Sequence, residues 1–310
     1  MATNSAPVRA EIGVIGGSGL YDLDALADPR QIRVVTPYGD PSDALVVGTL
    51  SGRTVAFLPR HGRHHRIAPS QVPARANIYA LKSLGVRQVV SVSAVGSLRA
   101  DYAPGDLVIP DQIVDRTREV RASTFFDDGV VVHVPLADPY CGLVRELLAT
   151  AARGSGSVTV HETGAYCCIE GPQFSTRAES ELYRSWGLDI IGMTALPEAK
   201  LAREAELCYA GLALVTDYDC WRTGFAGVSA AAVAEVMRSN NAAAAATLAA
   251  LAPELPGDAE CACHAALADA VITPVDTIPE AVRQRMQLLL GKYLAPAVPV
   301  ARPVTAVRPL

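Results

Sequence analysis

Lysine is almost missing from this chain of 310 residues, which carries it only at Lys82, Lys200 and Lys292, and the formal net charge is −5. With a pI near 5.7 there is no basic footprint, which argues against nucleic acid as a main partner. No apolar run reaches the length of a membrane span. The N-terminal MATNSAPVRAE lacks the hydrophobic segment of a signal peptide. The expectation is a soluble, cytoplasmic protein with no membrane partner. Cysteine is sparse and odd in number, seven in all, unlike the dense sets that staple small secreted scaffolds. Zinc sites usually bring ligands in close pairs. Cys261-Ala262-Cys263, followed by His264, has no second cluster in sequence to complete four ligands, so no metal is expected. Aromatics make up only 5%, yet half of the residues are hydrophobic, too many for a disordered chain and enough for a large core.

What is present alternates. Short apolar runs at Ile12–Ile15, Thr54–Leu58, Val89–Val95, Leu107–Ile109, Ile190–Met193 and Ala210–Thr216 read as buried strands. Between them, Ala74–Leu84, Cys141–Ala152, Thr176–Trp186, Pro197–Leu207 and Val228–Leu251 read as helices. This predicts an α/β fold, one domain over residues 1–253, its sheet largely buried and mostly parallel. Pro253 to Gly257 breaks the last long helix. A helical extension is expected over 254–294, with helices around Cys261–Ala270 and Pro279–Leu294. The Pro- and Val-rich stretch 295–310 is expected to be an unstructured tail.

Chemistry collects at the strand ends. The first strand runs into Gly16-Gly17-Ser18-Gly19, a turn that lets backbone N–H groups approach an anion. Its spacing fits no dinucleotide fingerprint, and the phosphate-loop lysine is absent. Arg60-His61-Gly62-Arg63-His64-His65-Arg66 closes the second run. It reads either as a solvated basic loop or as an oxyanion site, and its place beside the glycine turn favours the latter. Ser91, Ser93, Ala94, Gly96 and Ser97 end the third run with small and hydroxyl residues, as Gly192-Met193-Thr194 end another. Most informative is Val215-Thr216-Asp217-Tyr218-Asp219-Cys220-Trp221. Continuing the strand would put Asp217 and Asp219 on one face. Two adjacent carboxylates cannot both ionise cheaply, so one would keep a proton near neutral pH.

Together these segments resemble the 5′-methylthioadenosine phosphorylases of the purine nucleoside phosphorylase superfamily. The resemblance runs from about Ile12 to the helix near Val228–Leu251. It rests on IGGSGL, TPYGDPSD, RHGRHH, NIYALK, SAVGSL, PGDLVIPDQ, IEGPQFSTRAES, GMTALPEAKLARE and VTDYDCW, in that order. The family implies a single-domain α/β fold with a central mixed β-sheet flanked by helices. It also implies inorganic phosphate as co-substrate, with no cofactor, bound by Ser18, Arg60, His61, Ser93, the Ala94 backbone and Thr194. Met193 would lie against the ribose, Phe174 on the purine ring, and Ser175 at its edge. Asp217 would protonate the purine at N7, and Asp219 would accept from the exocyclic amino group. That pair selects adenine, because a 6-oxo purine would leave acceptors facing acceptors.

Some positions depart from the family. Gly192 stands where Asn usually precedes Met-Thr, as in some relatives that prefer methylthioinosine. Ala230 and Ala234, with Val233 between them, stand where the family usually places larger aliphatics against the 5′ group, which implies a roomier 5′ pocket. The family is usually trimeric (or a dimer of trimers), with His133 at the position donated across the interface. Some relatives from hot environments join cysteines matching Cys141 and Cys208 and carry a C-x-C pair like Cys261 and Cys263; in a reducing cytoplasm free thiols are the default. The alternatives are a broader phosphorylase acting on adenosine, 5′-deoxyadenosine, methylthioinosine or 6-oxopurine nucleosides, a nucleosidase using water, a purine-binding module without catalysis, and a dinucleotide oxidoreductase. The anion cradle speaks against the nucleosidase, the cradle with the acid pair against the binding module, and the glycine spacing against the oxidoreductase.

Overall fold

Each apolar run predicted to be a strand is one, and alternate side chains along it enter two separate cores. The computed structural model describes residues 8–16, 26–156, 158–222, 230–257 and 260–294, without the side chains of 230–235, 238 and 239. The strands are β1 (Ile12–Gly16), β2 (Ala27–Ile32), β3 (Leu45–Leu50), β4 (Arg53–Pro59), β5 (Gln88–Ser97), β6 (Leu107–Val108), β7 (Gln112–Arg116), β8 (Val160–His161), β9 (Ala165–Ile169), β10 (Ile190–Gly192) and β11 (Cys208–Asp217). The α-helices are α1 (Ala74–Ser83), α2 (Gly142–Gly154), α3 (Arg177–Ser185), α4 (Ala195–Glu204), α5 (Ala230–Glu254), α6 (Glu280–Arg285) and α7 (Gln287–Leu290).

The strands form one mixed sheet in the order β2-β3-β4-β1-β5-β10-β9-β7, with β11 joining β5 to β6, and β8 beyond β6. The centre is parallel: β1 pairs with β4 and β5, and β11 with β5. The β2–β3, β3–β4, β5–β10 and β6–β11 pairs are antiparallel. Along β11, Tyr209, Ala213 and Val215 join one core with Ile78 and Leu81 of α1 and Leu201 of α4. Ala210, Leu212 and Leu214 join the other, with Leu148 of α2 and Leu248 and Leu251 of α5. This is the period-two pattern of a strand covered on both faces. Each such leucine contributes roughly 1.5–3 kcal/mol of burial.

The sheet is mixed, as the family resemblance implies: of the strands not legible as apolar runs only β2 and β3 pair antiparallel, while β7, β8 and β9 pair in parallel among the described residues; β2, with the sequence ADPRQI, is an exposed edge. Three expectations need correction. The helix expected over Cys261–Ala270 is only a 3₁₀ turn at Ala262–Ala265. There the Leu267 N–H donates to Glu206 Oε1 at 3.1 Å instead of to the carbonyl four residues back. The longer helix expected from Pro279 is divided into α6 and α7 at Met286. The isolation of Cys261 and Cys263 in sequence is also misleading. The fold carries Cys141 and Cys208 to them, and the four sulfurs lie within 4.8 Å of one another.

The segment after α5 shares the main core: Leu267, Met286 and Leu290 sit in the cluster that holds Ile78 and Leu81. Among the described residues no helix is long and apolar enough to cross a membrane. The tail expected over 295–310 lies outside the described residues.

Candidate active site

The carboxyl ends of β1, β4 and β11 meet the outer half of β5. Arg60 follows β4, and its N–H donates to the O of Gly16, the last residue of β1. Its guanidinium is buried (1% exposed). Nε and Nη2 form a two-pronged pair with Glu198 of α4, Nη2 also donates to Ser91 Oγ at 2.7 Å, and Nη1 donates to Val92 O at 3.0 Å. Of five donor hydrogens, only one on Nη1 lacks a partner among the described residues. The expected planar grip on an oxyanion is therefore taken up by Glu198, and Arg60 offers an anion one N–H and its charge. Sequence reasoning overlooks Glu198, whose one signal is a lone acid among Ala and Leu in ALPEAKLA. Ser91 Oγ and Tyr209 Oη also donate to it.

The basic loop divides. Arg63 turns outward to Asp43, and Arg66 donates to Ser42 O. His61 is buried, stacks on His65 at 4.2 Å between ring centroids, and approaches Ile67 O through Nδ1 at 2.8 Å. A carbonyl only accepts, so Nδ1 carries the hydrogen and Nε2 is an acceptor. Burial, with the Arg60 guanidinium beside it, pushes His61 down to about 4. His61 is a neutral acceptor at physiological pH, not the cation that the loop's composition suggests.

Beyond β10, Thr194 Oγ1 and Tyr166 Oη are both buried without a well-formed hydrogen bond. Gly192 has a physical reason here. A Cβ at that position would overlap Tyr166 Oη, so the tyrosine fills the space that an asparagine side chain would need. Gly171, with φ +68, is likewise occupied by Met193 Sδ where a Cβ would stand. Arg121, which no motif singled out, fastens this region: Nε donates to Glu170 Oε1 at 2.8 Å, Nη1 to Met193 O at 2.7 Å, and Nη2 to Glu170 O at 2.6 Å. It ties the EGPQF segment to Met193. Phe174 is then held 48% exposed, immediately before Ser175 and the Thr176–Glu179 capping box that starts α3.

The two acids are not a strand pair. β11 ends at Asp217 after a register shift opposite Gly96, and Asp219 lies in a turn with φ +48. The alternation rule that put both carboxyls on one face stops applying there. Asp217 accepts from Thr216 Oγ1 and from the Asp219 N–H, each at 2.8 Å. Ser175 Oγ donates to Asp219 at 2.7 and 3.0 Å. Burial raises Asp217 above the usual carboxylate range, the two donated bonds oppose this, and the charge of Asp219 is the smallest contribution. Desolvation, rather than a proton shared with Asp219, favours the protonated form. Both acids border Gly96, where a Cβ would stand 3.0 Å from Asp217 Oδ1. Trp221 Nε1 donates to Ser97 O at 2.8 Å, locking the turn to β5.

Ser93 (buried) and Ala94 (half-buried) lie on β5 between Val92 and Gly96. The structure thus brings together Arg60, His61, Ser93, Ala94, Asp217 and, through Ser175, Asp219. Ser18 and the side chains of Ala230, Val233 and Ala234 lie outside the described residues. His133 is exposed, its N–H bonded to Ala270 O, and no hydrogen bond ties it to the strand ends among the described residues.

The sequence profile of the phosphorylase superfamily matches residues 11–253. The chain belongs to that superfamily. A relative from Chloroflexus aurantiacus, named S-methyl-5′-thioadenosine phosphorylase, is 54% identical over 92% of this chain and 98% of its own. The crystal structure of a methylthioadenosine phosphorylase from an antarctic soil metagenomic library superposes with a TM-score of 0.86 at 50% identity, covering 91% of this chain and 99% of that one. The Schistosoma mansoni methylthioadenosine phosphorylase in complex with adenine superposes with a TM-score of 0.77 at 33% identity, over 91% and 98% of the two chains. The cluster of strand ends therefore sits in a superfamily scaffold whose relatives are similar nearly end to end.

Proposed function

We propose that this phosphorylase-superfamily enzyme cleaves the N-glycosidic bond of 5′-methylthioadenosine with inorganic phosphate, giving adenine and 5-methylthioribose 1-phosphate. It is a pentosyltransferase. Phosphate is held by Ser18, the remaining Arg60 N–H, His61, Ser93, the Ala94 backbone and Thr194. Neutral His61 offers Nε2 as acceptor to the hydroxyl of monohydrogen phosphate. The ribose packs on Met193, and the purine on Phe174. As the bond from C1′ to N9 breaks, positive charge grows on the sugar, and the phosphate stabilises it and then attacks C1′. Adenine leaves with the N9 electron pair and a proton from Asp217 at N7, a gain of about 10²–10⁴ in rate. The proton that phosphate loses on becoming an ester balances the one adenine takes. Asp219, oriented by Ser175, accepts from the 6-amino group.

The observation that carries this reading is Asp217, a desolvated carboxyl raised by burial at the end of β11, on the scaffold of the relatives described above. From the sequence, the small residues Ala230 and Ala234, with Val233 between them, predict that 5′ substituents other than methylthio are accepted. Within the same proposal the enzyme works in cytoplasmic purine and methionine salvage as a homotrimer, with His133 entering a neighbour's site. The test is a panel of methylthioadenosine, 5′-deoxyadenosine, adenosine, methylthioinosine and inosine, with and without phosphate. Adenine release that depends on phosphate is expected. Release without phosphate would make the enzyme a hydrolase, and faster cleavage of inosine would overturn the base assignment.

A further inference from the structure

Four cysteines from three distant parts of the chain meet at the end of β11 opposite Asp217. Cys141 is the N-cap of α2, Cys208 is the first residue of β11, and Cys261 and Cys263 lie where the chain returns to the body after α5. Their sulfurs all lie within 4.8 Å of one another, and Cys141 Sγ is 3.7 Å from Cys261 Sγ. All are free thiols. A tetrahedron of sulfurs each about 2.3 Å from a central ion has edges of roughly 3.8 Å, whereas a disulfide brings the pair to about 2.0 Å. Buried thiols packed as small apolar groups have no need to converge as a foursome.

The surroundings suit a negatively charged centre. Arg203 Nη1 donates to Cys263 Sγ at 3.5 Å. His264 Nδ1 lies 2.7 Å from Arg87 Nη2, and its Nε2 lies 3.5 Å from Cys208 Sγ. Because a guanidinium only donates, Nδ1 is the acceptor, and Nε2 carries a hydrogen that points at the Cys208 sulfur. Donors aimed at metal-bound thiolates are the outer-shell arrangement that tetrathiolate sites use. Cys141 adds the positive end of α2.

We propose that Cys141, Cys208, Cys261 and Cys263 hold one zinc ion in a closed, structural tetrathiolate site. Four sulfur ligands with no open position suit zinc, and exclude a catalytic role for the ion. Binding releases the four thiol protons and leaves a dianionic centre, with no redox change. The site is about 30 Å from Asp217, taking β11 at about 3.3 Å per residue. It pins the segment after α5 to the start of α2 and the start of β11.

The test uses full-length protein purified anaerobically under reductant without chelator. Elemental analysis should find about one zinc per chain. The Cys208→Ser and Cys261→Ser variants should each lower zinc occupancy by about tenfold or more, while Cys220→Ser, outside the cluster, keeps it. Should the serine variants fail to fold, the unaltered protein still decides. After zinc removal, cobalt(II) should restore binding with the intense thiolate charge-transfer bands of a tetrahedral sulfur site, and the four thiols should become resistant to thiol reagents. Protein that takes up neither zinc nor cobalt, or that carries these cysteines as disulfides without metal, overturns the proposal. Zinc retained in full by both serine variants overturns it too.

Discussion

At the level of single residues the proposed chemistry rests on which groups carry protons. Asp217 is raised by burial, so its proton-bearing form is the active one. Activity should be present below its folded pKa and fall as pH rises through it. Asp217→Asn cannot donate, and kcat should drop by about 10²–10⁴ while adenine still binds; full turnover in that variant removes Asp217 from the mechanism. His61 works in the opposite direction. Its folded pKa is depressed to about 4, whereas the unfolded chain takes up the proton near 6.5. Its contribution to stability is therefore complete above about 6.5 and lost as pH falls toward about 4, with a slope of up to about 1.4 kcal/mol per pH unit. Melting temperatures of His61→Gln measured across that window should show a shallower acid limb than the parent; an unchanged limb would mean that the imidazole is not buried neutral. Much of this site was visible as residue types at strand ends. Invisible were the partners that set their states: Glu198, which takes most of the Arg60 fork, and the left-handed turn at Asp219, which ends the strand alternation that would have put both carboxyls on one face. Neither follows from local pattern, because one is a contact across 138 positions and the other a backbone choice that aspartate tolerates but does not advertise.

At the level of elements, the site depends on how one segment is fastened to another. Arg121 joins Glu170 to the carbonyls of Met193 and Leu196, with 6% and 11% of the two charged side chains exposed. Removing one member of so buried a pair costs about 3–5 kcal/mol. Arg121→Ala should also raise KM for the nucleoside well above any change in KM for phosphate, since the tie positions Met193 and Phe174 rather than Arg60. Arg121→Lys keeps one bond and should recover part of the loss. Equal effects on both KM values would assign Arg121 to general stability alone. The central strands and the helices α1 to α5 were legible because they bury continuous apolar runs or stripes. The peripheral strands were not. β2 and β7 carry Asp, Arg and Gln on exposed faces, and β8 is two residues long, so their strand character comes from the neighbours they pair with.

For the whole molecule the open question is whether the segment after α5 is an appendage or part of one cooperative body. Its side chains argue for the latter. Leu290 is fully buried in the cluster that contains Ile78 and Leu81. Glu206, at the turn between α4 and β11, accepts from the Leu267 N–H and from Tyr293 Oη, and pairs with Lys292 at 2.6 Å. A chain whose end fills the core of its beginning cannot lose that end without opening a cavity there. Leu290→Ala should therefore cost about 2–5 kcal/mol. The loss should lower the melting temperature of the entire protein, including loss of the Asp217 end of the sheet, in a single calorimetric transition. If the extension were an independent unit, the same substitution would split off an early, small transition and leave the main one in place. That outcome would restore the boundary near residue 253 that the Pro- and Gly-bearing break suggests from sequence.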